Sequence, residues 1–414
     1  MNTQNVAGSE DATVPDHVPV PDHVPKNLIQ YCDFRSELGS CPHEKLAEFH
    51  NGPRIFYSPV SHQDRGKETK GSWVLTRAED IRYVLLHPEL FSSAQPRSHV
   101  MGDTWKLIPL ELDPPEHTQF RALLNPFFSP KHVRTYEKMI RSWAVELIEG
   151  FVGKSQGNIV ADFCEPYPVG IFLDLMALPR AELTVFRKWV NTIVHVRQGR
   201  GPAMQEVKKF LLEVIAERKC EPEKTDILTK VTQFRIDNKP ISDEEILGIA
   251  FILFLGGLDT VLSSLSFQIR YLAENPVDQE KLRADTTLIP KAIEELFRAF
   301  AIVTSARTAT QDLELAGVNV KEGDLVTVPS ILANRDPAEF PNPNTVDLTR
   351  TPNRHNTFSF GAHHCLGTHL ARLEITIALE ELLNRLPPFS LAPDAEIRIL
   401  GGGVLGVERL QLIW

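Results

Sequence analysis

The chain of 414 residues is poor in cysteine and has no excess of positive charge. Its five cysteines are odd in number and far apart, which argues against a disulfide framework and favours a reducing compartment. Its net charge of −10 argues against nucleic acid or an anionic membrane as the main partner, because both attract basic surfaces. We therefore expect a cytoplasmic monomer that binds neither nucleic acid nor membrane.

The sequence also lacks the usual marks of a targeting or membrane-spanning segment. Residues 1–24 contain no basic region followed by an apolar run, so no signal peptide is predicted. The most apolar stretch, residues 246–258, is shorter than the ~20 residues that a transmembrane helix needs. It also runs directly into Asp259. These absences favour a globular protein with a buried apolar helix.

A proline-rich arm is the first feature that is present. Residues 14–25 repeat the unit VPDHVP twice, and this density of proline excludes a helix and favours an extended segment. His17 and His23 recur at the same period, which is compatible with a metal site but is more typical of a proline-rich tail. We predict an arm over residues 1–26 and a single domain over residues 27–414.

Helix signals dominate the chain beyond Pro114. The longest predicted helix starts at Ser242, where Ser242 and Glu245 form a capping box. It continues to Leu272, about 45 Å, so it should be buried in the centre of the protein. Further helices are predicted over residues 77–87, 132–152, 203–218 and 290–300 and from Cys365 to 385, and strands over residues 72–76, 313–320, 324–329 and, as hairpins, 389–414. The predicted class is mainly α with a smaller β part.

The most informative stretch is FSFGAHHCLG, from Phe358 to Gly367. Cys365 directly precedes a predicted helix, whose dipole and free N–H groups favour a thiolate. A thiolate is a strong, electron-rich ligand for haem iron. Gly361 and Gly367 let the backbone approach a flat ligand, and Phe358 can cover the sulfur. These features favour a haem site in which Cys365 is the axial ligand of the iron.

Two other interpretations of this stretch stay open at this point. Cys365 could be an ordinary buried thiol, which is the usual state of an isolated cysteine. Alternatively, four side chains could bind zinc, namely His363, His364, Cys365 and His369. The zinc interpretation has a geometric difficulty, because three adjacent residues do not easily point at one tetrahedral centre.

Phe358, Gly361, Cys365 and Gly367 match the signature Phe-x-x-Gly-x-x-x-Cys-x-Gly, through which the chain resembles the cytochrome P450 family. Further family motifs follow in the expected order, and their details are most similar to bacterial, camphor-hydroxylating class I members. The resemblance implies the cytochrome P450 fold, a triangular helical prism whose long central helix lies over haem b (iron protoporphyrin IX). It also implies an oxidoreductase that acts as a monooxygenase.

The segment from Gly256 to Thr260, GGLDT, lies in the middle of the long helix. Each glycine in a helix costs about 1 kcal/mol relative to alanine, and such a local violation is typical of a functional site, although simple tolerance of a small pair is the alternative. By resemblance, Gly256 opens the helix for dioxygen, Thr260 assists oxygen activation and Asp259 relays protons. The resemblance also predicts that Arg187 pairs with Asp259.

Four further positions match the groups with which the family binds the haem propionates: His117, Arg121, Arg307 and His363. His117 and Arg121 are four residues apart, on one face of a predicted helix, and cationic donors of this kind suit a carboxylate. Each residue alone would be an ordinary surface charge. Together, at the family positions, they support haem binding.

Glu295 and Arg298 stand one turn apart on a predicted helix. On a surface such a pair contributes only ~0.3 kcal/mol, whereas the resemblance assigns the two residues to a buried ion pair with a structural role. The third member in the family is an arginine of a Pro-x-Arg loop, and here Thr345 occupies that position. Which residue completes the hydrogen bonding is therefore left open.

The resemblance places substrate contacts at seven positions. Trp105 stands where the camphor-hydroxylating relatives use a tyrosine hydroxyl, so its indole N–H either holds a carbonyl or only packs. Gly403 replaces an isoleucine, which makes the pocket a little longer on that side. We predict a small apolar substrate, a terpenoid or norisoprenoid other than camphor, because the remaining five positions are apolar: Leu107, Ile252, Leu255, Val303 and Val404.

The chain shows no flavin or iron–sulfur domain, so we expect its electrons to come from a separate [2Fe–2S] ferredoxin with an NADH-dependent reductase. We predict that this ferredoxin docks on a basic patch formed by Arg121, Lys131, Arg134, His369 and Arg372. Two rival functions remain. One is a haem-thiolate peroxygenase or isomerase, against which the acid–threonine pair argues. The other is a non-enzymatic haem sensor or ligand carrier.

Overall fold

The computed structural model describes residues 20–32, 34, 39–60, 71–94, 105–193 and 199–414. Most of the predicted arm, residues 1–19, lies outside this range. The described helices are α1 (Pro42–Ala47), α2 (Ala78–Leu86), α3 (Glu116–Leu124), α4 (Pro130–Val133), α5 (Glu137–Glu149), α6 (Pro166–Leu175), α7 (Leu183–Asn191), α8 (Arg200–Cys220), α9 (Ile227–Thr232), α10 (Asp243–Glu274), α11 (Pro276–Ala284), α12 (Ile289–Ala299), α13 (Ser330–Ala333) and α14 (Thr368–Arg385).

The strands are shorter than the helices, and most have two to four residues. Those in the described ranges are β1 (Ile55–Ser58), β2 (Ser72–Leu75), β3 (Phe91–Ser92), β4 (Gln156–Asn158), β5 (Arg235–Ile236), β6 (Lys239–Pro240), β7 (Thr304–Ala309), β8 (Leu313–Leu315), β9 (Val318–Val320), β10 (Leu325–Pro329), β11 (Ser390–Leu391), β12 (Ile399–Leu400), β13 (Gly406–Val407) and β14 (Gln411–Ile413). The predicted class, mainly α with a smaller β part, is confirmed.

The first of two compact units, here called the sheet unit, comprises Met1–Val100, Lys291–Cys365 and Ile397–Glu408. It is built on a five-stranded sheet of order β1-β2-β10-β7-β3. β2 and β10 are parallel, and the other neighbouring strands are antiparallel. Their apolar side chains are buried, as Trp73 and Val326 show.

His23 ties the described part of the arm to the sheet unit. Its Nε2 lies 2.8 Å from a carboxylate oxygen of Asp324, and the same oxygen accepts a hydrogen bond from Trp73 Nε1 at 3.0 Å. Within the described ranges, no group of three metal-binding side chains occurs. His23 therefore belongs to a polar contact with the turn before β10. His17 lies outside the described residues.

The second unit, here called the helical unit, comprises Met101–Pro290, Leu366–Glu396 and Arg409–Trp414. Its central element is α10, which contacts α6, α8 and α14. The predicted capping box forms at the start of α10, because Glu245 N donates to Ser242 Oγ at 3.2 Å and Ser242 N donates to Glu245 Oε2 at 2.5 Å. The helix ends at Glu274, two residues beyond the predicted Leu272, with Asn275 as its C-cap before Pro276.

Helix α10 is long and apolar enough to cross a membrane by length and composition alone. However, 67% of its most apolar window is buried within the fold. An apolar helix that is covered by its own chain on most sides is typical of a protein core. The structure therefore gives α10 the buried, central position that the sequence predicts.

Three predicted elements differ from the observed ones. The helix predicted over residues 132–152 is divided into α4, a 3₁₀ turn (Arg134–Tyr136) and α5. The strand predicted over residues 313–320 is the hairpin β8–β9, because Ala316 and Gly317 take positive φ angles of 51° and 84°. The C-terminal tail forms one hairpin, β12–β13, but β14 pairs with both β11 and β4 in a three-stranded sheet.

Candidate active site

The cysteine loop, residues 358–365, is held by backbone hydrogen bonds within the sheet unit. Cys365 N donates to Phe358 O at 2.8 Å, and His364 N donates to Gly361 O at 3.1 Å. Phe358 also packs edge-on against Phe297 of α12, with ring centroids 5.0 Å apart. The fold thus holds the backbone before Cys365 in place, while Cys365 itself is exposed.

Gly361 is required by the packing of the cysteine loop. Its φ of +70° lies in the left-handed region, and a Cβ at this position would lie 2.5 Å from the carbonyl oxygen of Leu85 in α2. Only glycine meets both demands without strain. The sequence predicts that Gly361 serves the approach of a flat ligand, whereas the close contact that the structure shows is with α2.

The two alternative interpretations of Cys365 receive no support. Cys365 is exposed, unlike Cys164, which is an ordinary buried thiol whose pKa is raised by burial to about 12. In the part of the chain that the structure describes, no three His, Cys, Asp or Glu side chains form a group that could hold a metal ion. The zinc interpretation therefore fails at its four candidate ligands, His363, His364, Cys365 and His369.

Helix α10 is open to its surroundings at one place. Along residues 246–273, all of them described, only Gly256 and Gly257 are exposed, and a Cβ on either glycine would meet nothing within 4 Å. The Thr260 hydroxyl, one turn later, donates to Gly256 O at 2.7 Å. Asp259, the residue before Thr260, is buried, with 2% of its surface exposed. A hydroxyl and a buried acid thus stand beside the exposed glycine pair of the central helix.

Arg187 of α7 does not pair with Asp259. Its Nη2 donates to Glu165 Oε2 at 2.7 Å and to Ala161 O at 3.0 Å. The Arg187–Asp259 pair is therefore a wrong prediction for this structure, because α7 brings the guanidinium to the Glu165 carboxylate instead.

The four predicted propionate-binding residues are divided between the two units, two in each. In the helical unit, His117 is buried on α3, and Arg121, one turn later, donates from Nε to Asn125 Oδ1 at 3.0 Å. In the sheet unit, Arg307 is buried on β7 at 6% exposure, and His363 is half-buried in the cysteine loop. Nη1 of Arg307 donates to Ala306 O at 2.9 Å. Each unit thus presents one histidine and one arginine, which are donors of the kind that bind a carboxylate.

Four of the seven predicted substrate residues lie on or beside α10 in the helical unit. Trp105 is buried, and its ring packs edge-on against Phe251 of α10, with centroids 5.1 Å apart. Leu107 follows it on the same segment and is half-buried. Ile252 and Leu255 are half-buried on α10, within one turn before Gly256. Four apolar side chains thus lie on the part of α10 before the exposed glycine pair and on the segment beside it.

The other three predicted substrate residues come together in the sheet unit. Val303 and Val404 are partners in an isolated antiparallel bridge, and Thr304 N donates to Gly403 O at 2.8 Å. A Cβ at Gly403 would lie 3.7 Å from Thr304 O, an ordinary contact distance. The position has room for a side chain that this protein does not carry, and the longer pocket stays a prediction.

Glu295 and Arg298 form the buried ion pair that the resemblance implies. Arg298 Nε and Nη2 each donate to one Glu295 carboxylate oxygen at 2.7 Å. Arg350 takes the third position, with its Nε 3.0 Å from both oxygens. Thr345 contributes its backbone carbonyl, which accepts hydrogen bonds from both arginines. The sequence offered Arg350 as a candidate for the third member, but this arginine lies five residues after Thr345 and therefore outside the spacing of the family motif.

The predicted basic patch lies in the helical unit, where α14 contacts α4 and the turn Asn125–Phe128 that follows α3. Of its members, Lys131 and Arg134 are exposed and Arg372 is half-buried. Burial, and then the charge of Arg372, lower the pKa of His369. At neutral pH the positive charge of the patch therefore resides on its lysine and arginines.

Glu374 of α14 is a titratable residue that the sequence analysis missed. It is 3% exposed, its Oε2 has no hydrogen-bond partner among the described residues, and burial raises its pKa to about 8. Tyr167 packs nearby and donates from its hydroxyl to Glu374 O at 2.9 Å. The signal in the sequence was its spacing on the helix. Glu374 lies four residues after Leu370 and three before Ile377, both buried, so it shares their face of α14.

Comparison with known proteins gives a consistent match. The family model described as Cytochrome P450 matches residues 173–399. The probable cytochrome P450 127A1 of Sinorhizobium fredii (strain NBRC 101917 / NGR234) is 40% identical over 405 residues, which cover 97% of each protein.

Two solved structures resemble the whole fold. The crystal structure of CYP101J2 has a TM-score of 0.86 and 32% identity, and the alignment covers 96% of this chain and 99% of that chain. The crystal structure of cytochrome P450 CYP101C1 has a TM-score of 0.85 and 30% identity, with 96% and 100% covered. The similarity in sequence and in fold thus extends over nearly the full length of the chain.

Proposed function

Because the chain belongs to the cytochrome P450 family of haem-dependent monooxygenases, we propose that it hydroxylates a small apolar compound, a terpenoid or norisoprenoid of camphor size. The reaction uses O2 and two electrons from a ferredoxin. The exposed glycine pair of α10 beside Asp259 and Thr260 carries the proposal, because a haem carrier or a peroxygenase has no need of an acid and a hydroxyl at such a place.

Haem b is the cofactor of the family, and we assign its iron ligand to Cys365. The cysteine loop holds the backbone before this residue, which is exposed. Bound haem supplies the activation of dioxygen and the insertion of one oxygen atom into a C–H bond. His117, Arg121, Arg307 and His363 would hold the propionates through charge-assisted hydrogen bonds.

In this proposal Asp259 relays protons from solvent and Thr260 assists oxygen activation. Each turnover converts substrate, O2, two electrons and two protons into the alcohol and water. The Thr260 hydroxyl donates to Gly256 O, so its oxygen has lone pairs left to accept a hydrogen bond. The buried side chain of Asp259 is the adjacent group that relays protons. Loss of either group should separate electron consumption from product formation.

The substrate class follows from the apolar character of the proposed contacts. Trp105, Leu107, Ile252 and Leu255 present rings or branched side chains, and each is buried or half-buried. These side chains favour a compact hydrocarbon skeleton and give little recognition of charge. The room at Gly403, with Val303 and Val404 beside it, favours a skeleton somewhat longer than camphor.

We further propose that a [2Fe–2S] ferredoxin, reduced by an NADH-dependent reductase, docks on the basic patch. Positive charge on contacting elements favours an acidic partner and speeds its association. A cytoplasmic location agrees with these partners. The monomer, the arm over residues 1–26 and the single catalytic domain over residues 27–414 stay predictions.

The first experiment tests the cofactor and its ligand. The purified protein should be red, and its dithionite-reduced form should give with carbon monoxide the red-shifted Soret band of a thiolate-ligated haem. Cys365→Ser should abolish that band, whereas Cys41→Ser, a change at another exposed cysteine, should leave it intact. An unshifted band in the parent protein would overturn the assignment of Cys365.

The second experiment tests the reaction. Terpenoids and norisoprenoids that shift the ferric spin state from low to high are incubated with ferredoxin, reductase and NADH, and the products are identified by mass spectrometry. Thr260→Ala should consume NADH but form much less alcohol per NADH, while Thr260→Ser retains most of the coupling. Faster turnover with hydrogen peroxide would indicate a peroxygenase, and no product at all would indicate a sensor or carrier.

The third experiment tests the electron donor. The double variant Lys131→Glu/Arg134→Glu should raise the KM for ferredoxin severalfold and leave the rate of reduction by dithionite unchanged. Lys154→Glu, at an exposed lysine outside the patch, is the matched control. An unchanged KM in the double variant would show that the ferredoxin docks elsewhere.

A further inference from the structure

A close backbone contact joins α10 to the segment of residues 105–112 in the helical unit. Gly248 is buried on α10, and a Cβ at this position would overlap the carbonyl oxygen of Lys106. The same Cβ would lie 3.3 Å from Ile108 Cγ1 and 3.4 Å from Ile108 N. The obstructing atoms belong mainly to the backbone, so rotation of a side chain would not relieve the overlap. The absence of a side chain at Gly248 therefore allows this contact.

The contacting segment is closed by its own hydrogen bonds. Leu107 N donates to Glu111 Oε2 at 2.9 Å, and Glu111 N donates back to Leu107 O at 2.8 Å. Leu112 N donates to Pro109 O at 3.2 Å. Glu111 is 5% exposed, which protects these bonds from competition by water. A displacement of Lys106 would therefore move the segment as a unit.

Trp105 occupies the first described position of this segment and is held on two sides. Its ring packs at 62° against Phe251, with centroids 5.1 Å apart. Lys208 of α8 places its Nζ 5.9 Å from the centroid of the indole, within the range of a cation–π interaction. Trp105 is 6% exposed. The position of the ring relative to α10 thus depends on how closely the segment approaches that helix.

We propose that Gly248 is a positioning residue that determines substrate specificity: its lack of a side chain seats the 105–112 segment on α10 and thereby fixes the Trp105 ring as a rigid wall of the substrate pocket. The proposal rests on the proposed function, in which Trp105 contacts the substrate. Gly248 itself lies behind the segment, acts through the backbone of Lys106 and does not touch the substrate. It therefore adjusts the shape of the pocket without changing a contact residue.

The main test compares Gly248→Ala with Gly201→Ala, which adds the same methyl group to α8 where a Cβ meets nothing within 4 Å. Both haem-loaded variants are titrated with β-ionone and with camphor, and the ferric spin shift gives each Kd. Gly248→Ala should weaken β-ionone binding about tenfold and change the ratio of hydroxylated products. Gly201→Ala should stay within twofold of the parent. The carbon monoxide spectrum of both should remain that of a thiolate-ligated haem.

A mutant cycle separates positioning from general destabilisation. In a Trp105→Ala background, Gly248→Ala should change the Kd by less than twofold, because the ring that it displaces is absent. An equal loss in both backgrounds, or no loss in either, would overturn the proposal. Phe251→Leu, which removes the ring contact without crowding the backbone, replaces Gly248→Ala if that variant does not bind haem, with the same expected dependence on Trp105.

The proposed function and this inference can fail separately. If the parent enzyme neither binds nor oxidises any terpenoid, the proposed substrate class is wrong. The same cycle is then measured with 4-phenylimidazole, an aromatic ligand of ferric haem that probes the pocket whatever the natural substrate is. Coupling between Gly248 and Trp105 in that titration would support the positioning role, and independence of the two substitutions would overturn it.

Discussion

Two buried glutamates, Glu295 in the sheet unit and Glu374 in the helical unit, have opposite surroundings. Glu374 lacks a hydrogen-bond partner for Oε2 within the described ranges, and burial raises its pKa to about 8. Glu295 is as deeply buried but accepts hydrogen bonds from two arginines, one asparagine and one backbone N–H: Arg298, Arg350, Asn353 and Asp347.

The difference between the two acids shows that burial alone does not decide the role of a carboxyl group. At Glu295 four donors bind the carboxyl oxygens and make the group part of the framework that holds the loop before Arg350. At Glu374 loss of solvent disfavours the charged form and raises the pKa to about 8, so the group packs as a neutral side chain. Four substitutions break or sharpen this contrast.

Glu295→Gln should have the largest effect. It leaves Arg298, which is 0% exposed, without its carboxylate, and removal of one member of a buried ion pair costs about 3–5 kcal/mol. We expect a large fall in the midpoint of urea unfolding and little haem-containing protein. Glu294→Gln, at the half-buried neighbour that contacts His355, is the control. Equal stability of the two variants would contradict the framework role of Glu295.

Glu374→Gln should change the pH dependence of stability. The pKa of Glu374 is about 8 in the folded protein, against 4.5 for a glutamate in water, so the folded state holds a proton that the unfolded state releases between these values. Stability from this group therefore falls as pH rises from 4.5 to 8, by about 1.4 kcal/mol per unit of pKa shift at most.

The glutamine variant should lack this decline. The free energy of unfolding of the variant, relative to that of the parent, should be higher at pH 9 than at pH 5 by roughly 2–4 kcal/mol. Urea unfolding at both pH values measures this difference. Glu223→Gln, at an exposed glutamate, should show no such gain. A pH-independent difference between Glu374→Gln and the parent would mean that Glu374 is not held protonated by the fold.

Arg350→Ala should cost less than the loss of Glu295, because Glu295 keeps Arg298. The Arg350 side chain is 11% exposed, and a hydrogen bond to a charged group contributes about 1.5–3 kcal/mol. We expect unfolding at lower urea with retention of haem, and a partial rescue by Arg350→Lys. Arg354→Ala, at an exposed position, should be nearly neutral. If Arg350→Ala left the free energy of unfolding unchanged, Arg350 would not be the third member of the ion pair.

Arg141→Ala should have the smallest effect. Arg141 lies 2.9 Å from Glu380 and 2.7 Å from Glu381, but its side chain is 36% exposed. Salt bridges that are open to solvent contribute about 0.2–1 kcal/mol and weaken with added salt. The change in unfolding free energy should therefore stay below about 1 kcal/mol and shrink in 1 M NaCl. If Arg141→Ala lowered the unfolding free energy as much as Arg350→Ala does, exposure to solvent would not explain how much an ion pair contributes to stability.

Local signals predicted the elements that depend on neighbours in sequence. The start of α10 follows from the reciprocal bonds of Ser242 and Glu245, which lie within one turn. The cysteine loop follows from a motif with fixed spacing. The division of the helix predicted over residues 132–152 was missed, because its amphipathic pattern continues through the 3₁₀ turn at Arg134–Tyr136.

Pairings between distant segments were the main failures. Arg187 was predicted to meet Asp259, but the side chain reaches Glu165, 22 residues earlier in the chain. The role of Arg350 depends on how the loop after α13 folds back onto Glu295, which no local spacing encodes. Glu374 was overlooked since its environment is set by packing within the helical unit. Asp259 and Glu165, the predicted and the observed partner of Arg187, are both carboxylates. Only their places in the folded chain distinguish them.

The contact between Gly361 and Leu85 has a consequence for how genomes are searched for such enzymes. A signature motif is commonly scored as one unit, yet this glycine is required by the neighbouring helix, whereas the cysteine is required, in our proposal, by the iron. A degenerate descendant that had lost Cys365 and its catalysis would still need Gly361 to fold. A survey that scores the two positions separately would therefore distinguish inactive homologues that keep the fold from active oxygenases.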